Sequence, residues 1–531
     1  MSLLDALLLD PVRIDVWVAN RAGQNIAGSG TQADPYDGST ATKFDALMRN
    51  MAVNTCVHLG PGEFETEGYH DNIAQGHGWQ AQAGMRIVGS GIDVTKLKLV
   101  SPASSGQRAY AVAHQLSSST VDFFELSDLT INCNWSGQSN GVAAGAVRIM
   151  GNHSRVVRVK VMNWGVKTGG PAGFVIAMLT GDPGNGVNGV TNCGIEECIA
   201  VAGDLGESPV GPVTVLHVGG KEDAVSPPEG YGLGPYIRNC FVDCGQTTDL
   251  SKDFRALSMA WCKGGVVEGN QVHNTRHGGP YQQTTHAYGL TVRGNVYRNV
   301  NKGPVLGGLG SSQGSGTLAR AGRVVTVSLG AAHALSVGDY VVINTSPATV
   351  FDGLVVTVTG TTSTTFTFNT SITSASSANV SSVKKVFGVR DLLIESNTIE
   401  LPTATSGELI GIHVQDWSTT APDATYPTYV FGKVAVRGNR IRYVDGAFDT
   451  AYTGYGLQLN GAQNLLVSEN VVEAVPANPV RHNRCSAVRY LENRTPAGLL
   501  IRGYDGITGV LASELETDAE DAFILGLIKR Q

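Results

Sequence analysis

Charge is scarce in this chain. Asp, Glu, Lys and Arg make up 16% of the 531 residues, and the net charge of −7 comes without any basic run. A nucleic-acid partner needs a positive patch against the phosphate backbone, so none is expected. Long apolar runs are missing too. No stretch of about 18 apolar residues offers a membrane-crossing helix, and no membrane insertion is expected. The opening Met-Ser-Leu-Leu-Asp-Ala-Leu-Leu-Leu-Asp-Pro lacks a basic leading region, and Asp5 and Asp10 interrupt its apolar run, so it does not read as a secretory signal. The eight Cys include no Cys-x2-Cys pair. Cys193-x4-Cys198 and Cys240-x3-Cys244 are therefore read as small buried fillers, not as zinc ligands or disulfides. No metal or cofactor is expected, with a structural or catalytic calcium left open.

Glycine is abundant by contrast: 67 of 531 residues, against an average of about 7%. With Val, Thr and Asn it suits an all-β chain with many tight turns. A repeat runs through it. Asn270, Asn295, Asn397, Asn439, Asn470 and Asn493 each sit within or just after a short β-rich run, at spacings of 25, 102, 42, 31 and 23 residues. A theme recurring every 20–45 residues or so marks a stacked solenoid. A second strand family alternates with the Asn strands, as in Ala146-Val-Arg-Ile-Met, Val213-Thr-Val-Leu-His-Val and Ile410-Gly-Ile-His-Val. Each coil thus has at least two strands, paired in parallel with the next coil. Equivalent Asn side chains can hydrogen-bond along the axis. The spacing of 102 is explained by residues 308–386, rich in Ser and Thr and alternating apolar with polar. They read as a small antiparallel β-domain inserted into a loop.

The expected organisation is a short helix or attachment segment over 1–12 and a lead-in and cap region over 13–119. The solenoid follows over 120–307, interrupted by the 308–386 insertion, and resumes over 387–505. Within the lead-in a helix is expected from Thr40 to Met51, with Ser39 as N-cap. A capping or docking helix is expected over 506–531, from the Ser513-x-x-Glu516 capping box and from Leu515, Ala519, Phe523 and Leu527 on one face.

Residues 85–505 resemble the right-handed parallel β-helix superfamily, the pectate-lyase and phage-tailspike class. The lead-in is similar to that of many such proteins: Gly28-Ser-Gly, Asp34-Pro-Tyr-Asp-Gly, Leu59-Gly-Pro-Gly-Glu-Phe and Arg86-Ile-Val-Gly-Ser-Gly. The insertion, with His333-Ala-Leu-Ser-Val-Gly-Asp and Phe351-Asp-Gly-Leu, is similar to small β-modules of phage tail and fibre proteins. The resemblance implies an all-β right-handed parallel β-helix. Its hydrolase and lyase branches carry Asp clusters that do not transfer here. Gly76-His77-Gly78 has no accompanying Asp pair and reads as a loop.

Aligning coils on the Asn strand places the loops that follow it side by side. One carries Asp249 and Asp253, the next Arg276, His277, Tyr281 and His286, and a later one Asp445, Asp449, Tyr452 and Tyr455. Asp253, His277 and Asp449 are the catalytic candidates, and Arg276, Tyr281 and His286 are substrate-binding candidates. Paired carboxylates suit glycoside hydrolysis. A His, Tyr or Arg beside a uronate suits β-elimination. On the other loop edge Trp261, Asp416 and Trp417 suit sugar stacking. The plainer alternative is that His277 and Tyr281 shape a turn, the carboxylates are solvated and the tryptophans pack at a sheet edge. The expected function is that of a phage-type tailspike or tail-fibre protein that binds, and in one version degrades, a cell-surface polysaccharide. A secreted bacterial polysaccharide lyase or glycoside hydrolase and a non-catalytic adhesion β-helix are the alternatives. The resemblance implies a homotrimer, with virion proteins or like subunits contacted through the termini. It places the chain in the virion tail, or outside the cell if the source is bacterial.

Overall fold

A computed structural model describes residues 13–505, apart from 25–26, 71–77, 101–104, 115–119, 168–169, 182–188, 203–212, 221–231, 246–252, 282–286, 375, 403–407, 421–422, 424, 444–453, 473–479 and 496–502. The expected segments at 1–12 and 506–531 lie outside the described residues, as does His77. The chain divides into two compact units. One is 1–278 with 298–300, the other 279–297 with 301–531.

In the first unit, parallel stacking starts well before residue 120. Strand Ile14–Ala19 pairs in parallel with Thr55–Leu59, which pairs with Arg86–Val88, then Glu125–Asn132, then Arg155–Met162. From there the ladder continues through Gly194–Glu196, Tyr236–Arg238 and Val266–Glu268. Registered partners form a column of aliphatic side chains: Val57, Ile87, Leu126, Val156, Ile195, Ile237 and Val267. All are at most 1% exposed. One fully buried aliphatic side chain is worth about 1.5–3 kcal/mol, so this column is a principal source of cohesion between coils. A separate parallel stack carries Arg108–Ala113, Ala143–Met150, Gly173–Gly181, Val213–Gly220 and Phe254–Met259. The lead-in helix runs Ala41–Arg49. Its N-cap is Thr40, not Ser39, because the Thr40 hydroxyl accepts from the Lys43 amide, while the Ser39 amide is taken by Asp37.

The second unit is built likewise. Val292, Ile394, Val436, Val467 and Tyr490 align across consecutive parallel strands. The Asn residues stack as the repeat suggested. Asn295 donates its amide N–H and its Nδ2 to Asn397 Oδ1, at 3.0 and 2.9 Å. Asn397 does the same to Asn439, Asn439 to Asn470, and Asn470 to Asn493. The Nδ2 groups of Asn397, Asn439, Asn470 and Asn493 also reach a strand carbonyl of the preceding coil, as Asn439 does to Ile394 O at 3.0 Å. The residue before each Asn turns the corner at positive φ, for example Ser396 at 55° and Gly438 at 61°.

The first unit carries the same corner with different chemistry. Asn270 Nδ2 donates to Ile237 O at 3.0 Å. One coil back, Cys240 Sγ reaches Ile195 O at 3.9 Å, and one further, Cys198 Sγ reaches Val156 O at 3.5 Å. These thiols are thus more than filler: each takes the position of the Asn amide as a weaker donor. All eight cysteines are free.

Seven antiparallel strands from Gly308–Ala321 to Ser377–Phe387 form a sheet of their own. Its core includes Val325, Val327, Ile343, Phe351, Phe366 and Phe368. The first and last strands pair Gly308 with Phe387 and Leu309 with Val386, so the segment leaves and returns at one point. That closure is why Asn295 and Asn397 can be neighbours across 102 positions. Asp339 and Asp352, the carboxylates of this segment, are structural. Asp339 pairs with the buried Lys385 at 2.8 Å, and Asp352 accepts from the Thr345 amide. Asp423 holds the sheet to its unit by accepting from Thr370 Oγ1 and from the Ser371 amide.

Asn439→Ala should destabilise the protein by about 3 kcal/mol in urea unfolding, because it strips partners from Asn397, Asn470 and Ile394 O. Asn493→Ala, which is bonded from one side only, should cost less. Equal costs would show that the ladder is not shared along its length.

Asp45 gives a pH signature. Burial pushes its carboxyl up to about 6, although Thr66 and the Glu67 amide donate to it. A raised carboxyl contributes stability that is complete below about pH 4 and lost as pH rises through about 6, worth at most about 3 kcal/mol. Urea unfolding midpoints should therefore fall for this group between pH 4 and 7, and Asp45→Asn should flatten that part of the profile.

Candidate functional site

Strand Phe254–Met259 starts immediately after Asp253, and the neighbouring strand Gln271–His277 ends at His277. Their register sets Arg255 opposite His277. Asp253 lies two residues before Arg255, and period-two alternation puts both on one face. Three side chains converge as a result. Arg255 Nη2 donates to Asp253 Oδ2 at 2.8 Å and Nε to Oδ1 at 3.3 Å, a two-point grip. His277 Nε2 lies 3.4 Å from Asp253 Oδ1. The carboxylate is the open member: the Asp253 side chain is 35% exposed, against 8% for His277 and 11% for Arg255. Thr275 ties the two strands further by donating to Phe254 O at 2.9 Å.

Burial alone would raise the Asp253 carboxyl, but the hydrogen bonds from His277 and Arg255 hold it well below the usual carboxylate range. It stays ionised throughout the physiological range, which makes it a poor proton donor. It is suited to accept hydroxyl hydrogens and to orient His277.

The same sheet carries a second polar pair. Phe174, Thr214 and Arg255 are registered partners, as are Ala177, His217 and Ser258. His217 Nε2 donates to Gly220 O at 3.4 Å, so Nδ1 accepts from Ser258 Oγ at 3.1 Å. The Phe174 ring centroid lies 4.7 Å from the imidazole. Burial pulls His217 down to about 4, so this imidazole is neutral at pH 7. Strands in such a stack are about 4.8 Å apart, so polar groups recur along the solenoid at a regular interval.

Only part of the expected site is brought together. Asp253 and His277 meet. Asp449 and His286 lie outside the described residues, as do Asp249, Asp445 and Tyr452. Arg276 is exposed between the buried Thr275 and His277, which places it on the other side of the strand. Arg255 is the arginine that grips Asp253. Tyr281 is half-buried in the second unit. Trp261 does not present a ring to a ligand. It is 2% exposed, and its indole packs over Gly220, where an added Cβ would stand 3.0 Å from Cγ. Asp416 is likewise closed: it pairs with Arg484 at 2.9 Å, both side chains 1% exposed. Trp417 is 39% exposed. In the second unit Tyr455 OH accepts from Arg481 Nη1 at 2.7 Å. Arg255, His217 and Ser258 are the residues that loop alignment missed. The alternation in Asp253-Phe254-Arg255 was the available signal.

No family model matches the chain, and no curated protein matches it. Among solved structures it is similar to an alginate lyase from Paenibacillus sp. FPU-7, at 13% identity over 76% of this chain and 95% of that one, with a TM-score of 0.36. It is similar to the tailspike of E. coli bacteriophage HK620, at 11% identity over 94% of this chain and 65% of the tailspike, with a TM-score of 0.43. A third is DFA-IIIase from Arthrobacter chlorophenolicus A6, at 10% identity over 97% and 90%, with a TM-score of 0.39. The solenoid architecture itself rests on the strand pairing described above.

Arg255→Gln should let the Asp253 carboxyl titrate at higher pH. A carboxyl depressed in the folded state contributes stability above its ordinary value of 3.8 and loses it as pH falls. The acid-unfolding midpoint of Arg255→Gln should therefore move to higher pH, and an unchanged midpoint would detach Arg255 from Asp253.

Proposed function

We propose that this chain is a polysaccharide-binding β-solenoid of the phage tailspike or tail-fibre type, and that the Asp253–Arg255–His277 cluster binds sugar hydroxyls instead of cleaving the chain. The observation that carries this reading is the state of Asp253. It is a partly exposed carboxylate, clamped from behind by Arg255 and His277, whose hydrogen bonds hold it well below the usual carboxylate range. Hydrolysis of a glycosidic bond needs a carboxylic acid that can give up a proton beside a second carboxylate. Asp253 has the wrong protonation state for the acid, and among the described residues no second carboxylate joins the cluster. A fixed carboxylate backed by charged donors suits hydroxyl recognition. The partly exposed Phe174 on the same sheet adds an apolar surface for a sugar ring. Repetition of coils along one axis suits a polymer.

Binding to a panel of neutral and acidic bacterial surface polysaccharides should identify a ligand. Asp253→Asn and His277→Gln should each weaken it by about tenfold, near 1.4 kcal/mol, with unchanged circular dichroism. The polymer should keep its length after long incubation. Chain shortening that Asp253→Asn abolishes would assign cleavage instead. Binding unaffected by both substitutions would move the site elsewhere. The tail-fibre form of the reading includes a homotrimer, and a monomer in light scattering would contradict that part alone.

A further inference from the structure

At the opposite end of the first unit three metal-binding side chains face one another on its first two parallel strands. Asp15 on Ile14–Ala19 is the registered partner of Cys56 on Thr55–Leu59. His58 lies two residues beyond Cys56, and alternation puts it on the same face. One ligand atom from each of Asp15, Cys56 and His58 lies within 4.8 Å of the other two. The His58 Nε2 to Asp15 Oδ1 distance is 2.7 Å. The cluster is reachable from the Asp15 and His58 side, whose side chains are 53% and 33% exposed, while Cys56 is 6% exposed beneath them.

The surroundings hold this set in place. The Trp17 ring stacks on the His58 imidazole at 4.7 Å and 13°, which fixes its plane. Arg86, registered with Cys56 on the next strand, is committed to Glu125 through Nε at 3.1 Å and through Nη2. Its charge is thereby offset, and it leaves Asp15 to His58. Arg13 is a further positive charge near Asp15 and Cys56. It opposes a bound cation.

We propose that Asp15, Cys56 and His58 form a binding site for a zinc-like divalent transition metal, which clips the first strand of the solenoid to the second. One thiolate, one imidazole and one carboxylate are a donor set that borderline metals accept and that calcium and magnesium do not. In tetrahedral zinc geometry, ligand atoms stand about 3.3–3.8 Å apart, so side-chain rotation closes the cluster without moving the strands. Binding releases the Cys56 thiol proton to solvent and forms three bonds to the metal. A fourth position is left for water. Cys56 thus has a role that the reading of cysteines as fillers did not give it. The proposal is independent of the glycan site.

The test uses untagged full-length protein, stripped of metal by chelator and titrated with Co²⁺. The expected result is one equivalent bound with a thiolate-to-cobalt charge-transfer absorption, displaced by Zn²⁺. That absorption should vanish in Cys56→Ser, and the Co²⁺ affinity should fall by at least about tenfold in His58→Gln and Asp15→Asn. No absorption in the native protein, or an absorption that survives Cys56→Ser, overturns the proposal. Cys56→Ser could disturb the first coil, so His58→Gln supplies the second readout. Its melting temperature with chelator present serves as its own baseline, since the substitution removes the contacts to Asp15 and Trp17, and the rise that Zn²⁺ produces above that baseline should be lost. A Zn²⁺-induced rise that persists in His58→Gln also overturns the proposal.

Discussion

In-register parallel pairing between consecutive coils is the constraint from which the rest of this structure follows. A parallel strand leaves its hydrogen-bonding groups slanted toward both neighbours, and a coil that stacks on another satisfies them. Once the register is fixed, each position in a coil lies over its counterpart. Aliphatic residues then form columns, as from Val57 to Val267. The amide at the corner bonds the amide above it, as from Asn295 to Asn493. On the outer faces the same rule builds ion pairs between coils, including Arg158 with Asp128 and Arg437 with Glu395. Exposed pairs of this kind are each worth about 0–1 kcal/mol, so the inner columns and corner ladder outweigh them.

The corner shows how one geometric demand admits more than one chemistry. In the later coils a side chain there donates to a carbonyl one coil back. Asn does this and also accepts from the next coil, so it propagates a chain of hydrogen bonds. Cys198 and Cys240 donate weakly and carry nothing forward as strongly. The earlier coils have the buried Leu129 and Val159 at this place, after Asp128 and Arg158 at positive φ, and there the corner is held by packing and by the Arg158–Asp128 ion pair between the coils.

The Asn repeat was legible because the later coils fill the corner with an amide, and amides at matching offsets stand out in a sequence. The insertion was legible because antiparallel strands with one buried face alternate, as Thr365-Phe366-Thr367-Phe368 does. The early coils were harder to see. Their corners lack the amide, so Ile14–Ala19 and Thr55–Leu59 read as a lead-in even though they already stack in parallel. The site was half legible. Asp253 and His277 could be aligned from the corner, but choosing Arg255 over Arg276 required knowing which side of each strand faces the carboxylate. Trp261 was misread for a related reason: a strand-end indole is an exposed platform or a core residue depending on the residue below it, and below it is Gly220.

The site's chemistry is a consequence of the same register, which sets a buried imidazole from one coil against an open carboxylate from the next. The most direct check is a double-mutant cycle on urea stability with Asp253→Asn, His277→Gln and the pair, which needs no ligand. Side chains in contact couple by about 0.5–3 kcal/mol. A coupling in that range is the result predicted. Additive effects would mean that the two side chains do not meet, and would contradict the register on which the site depends.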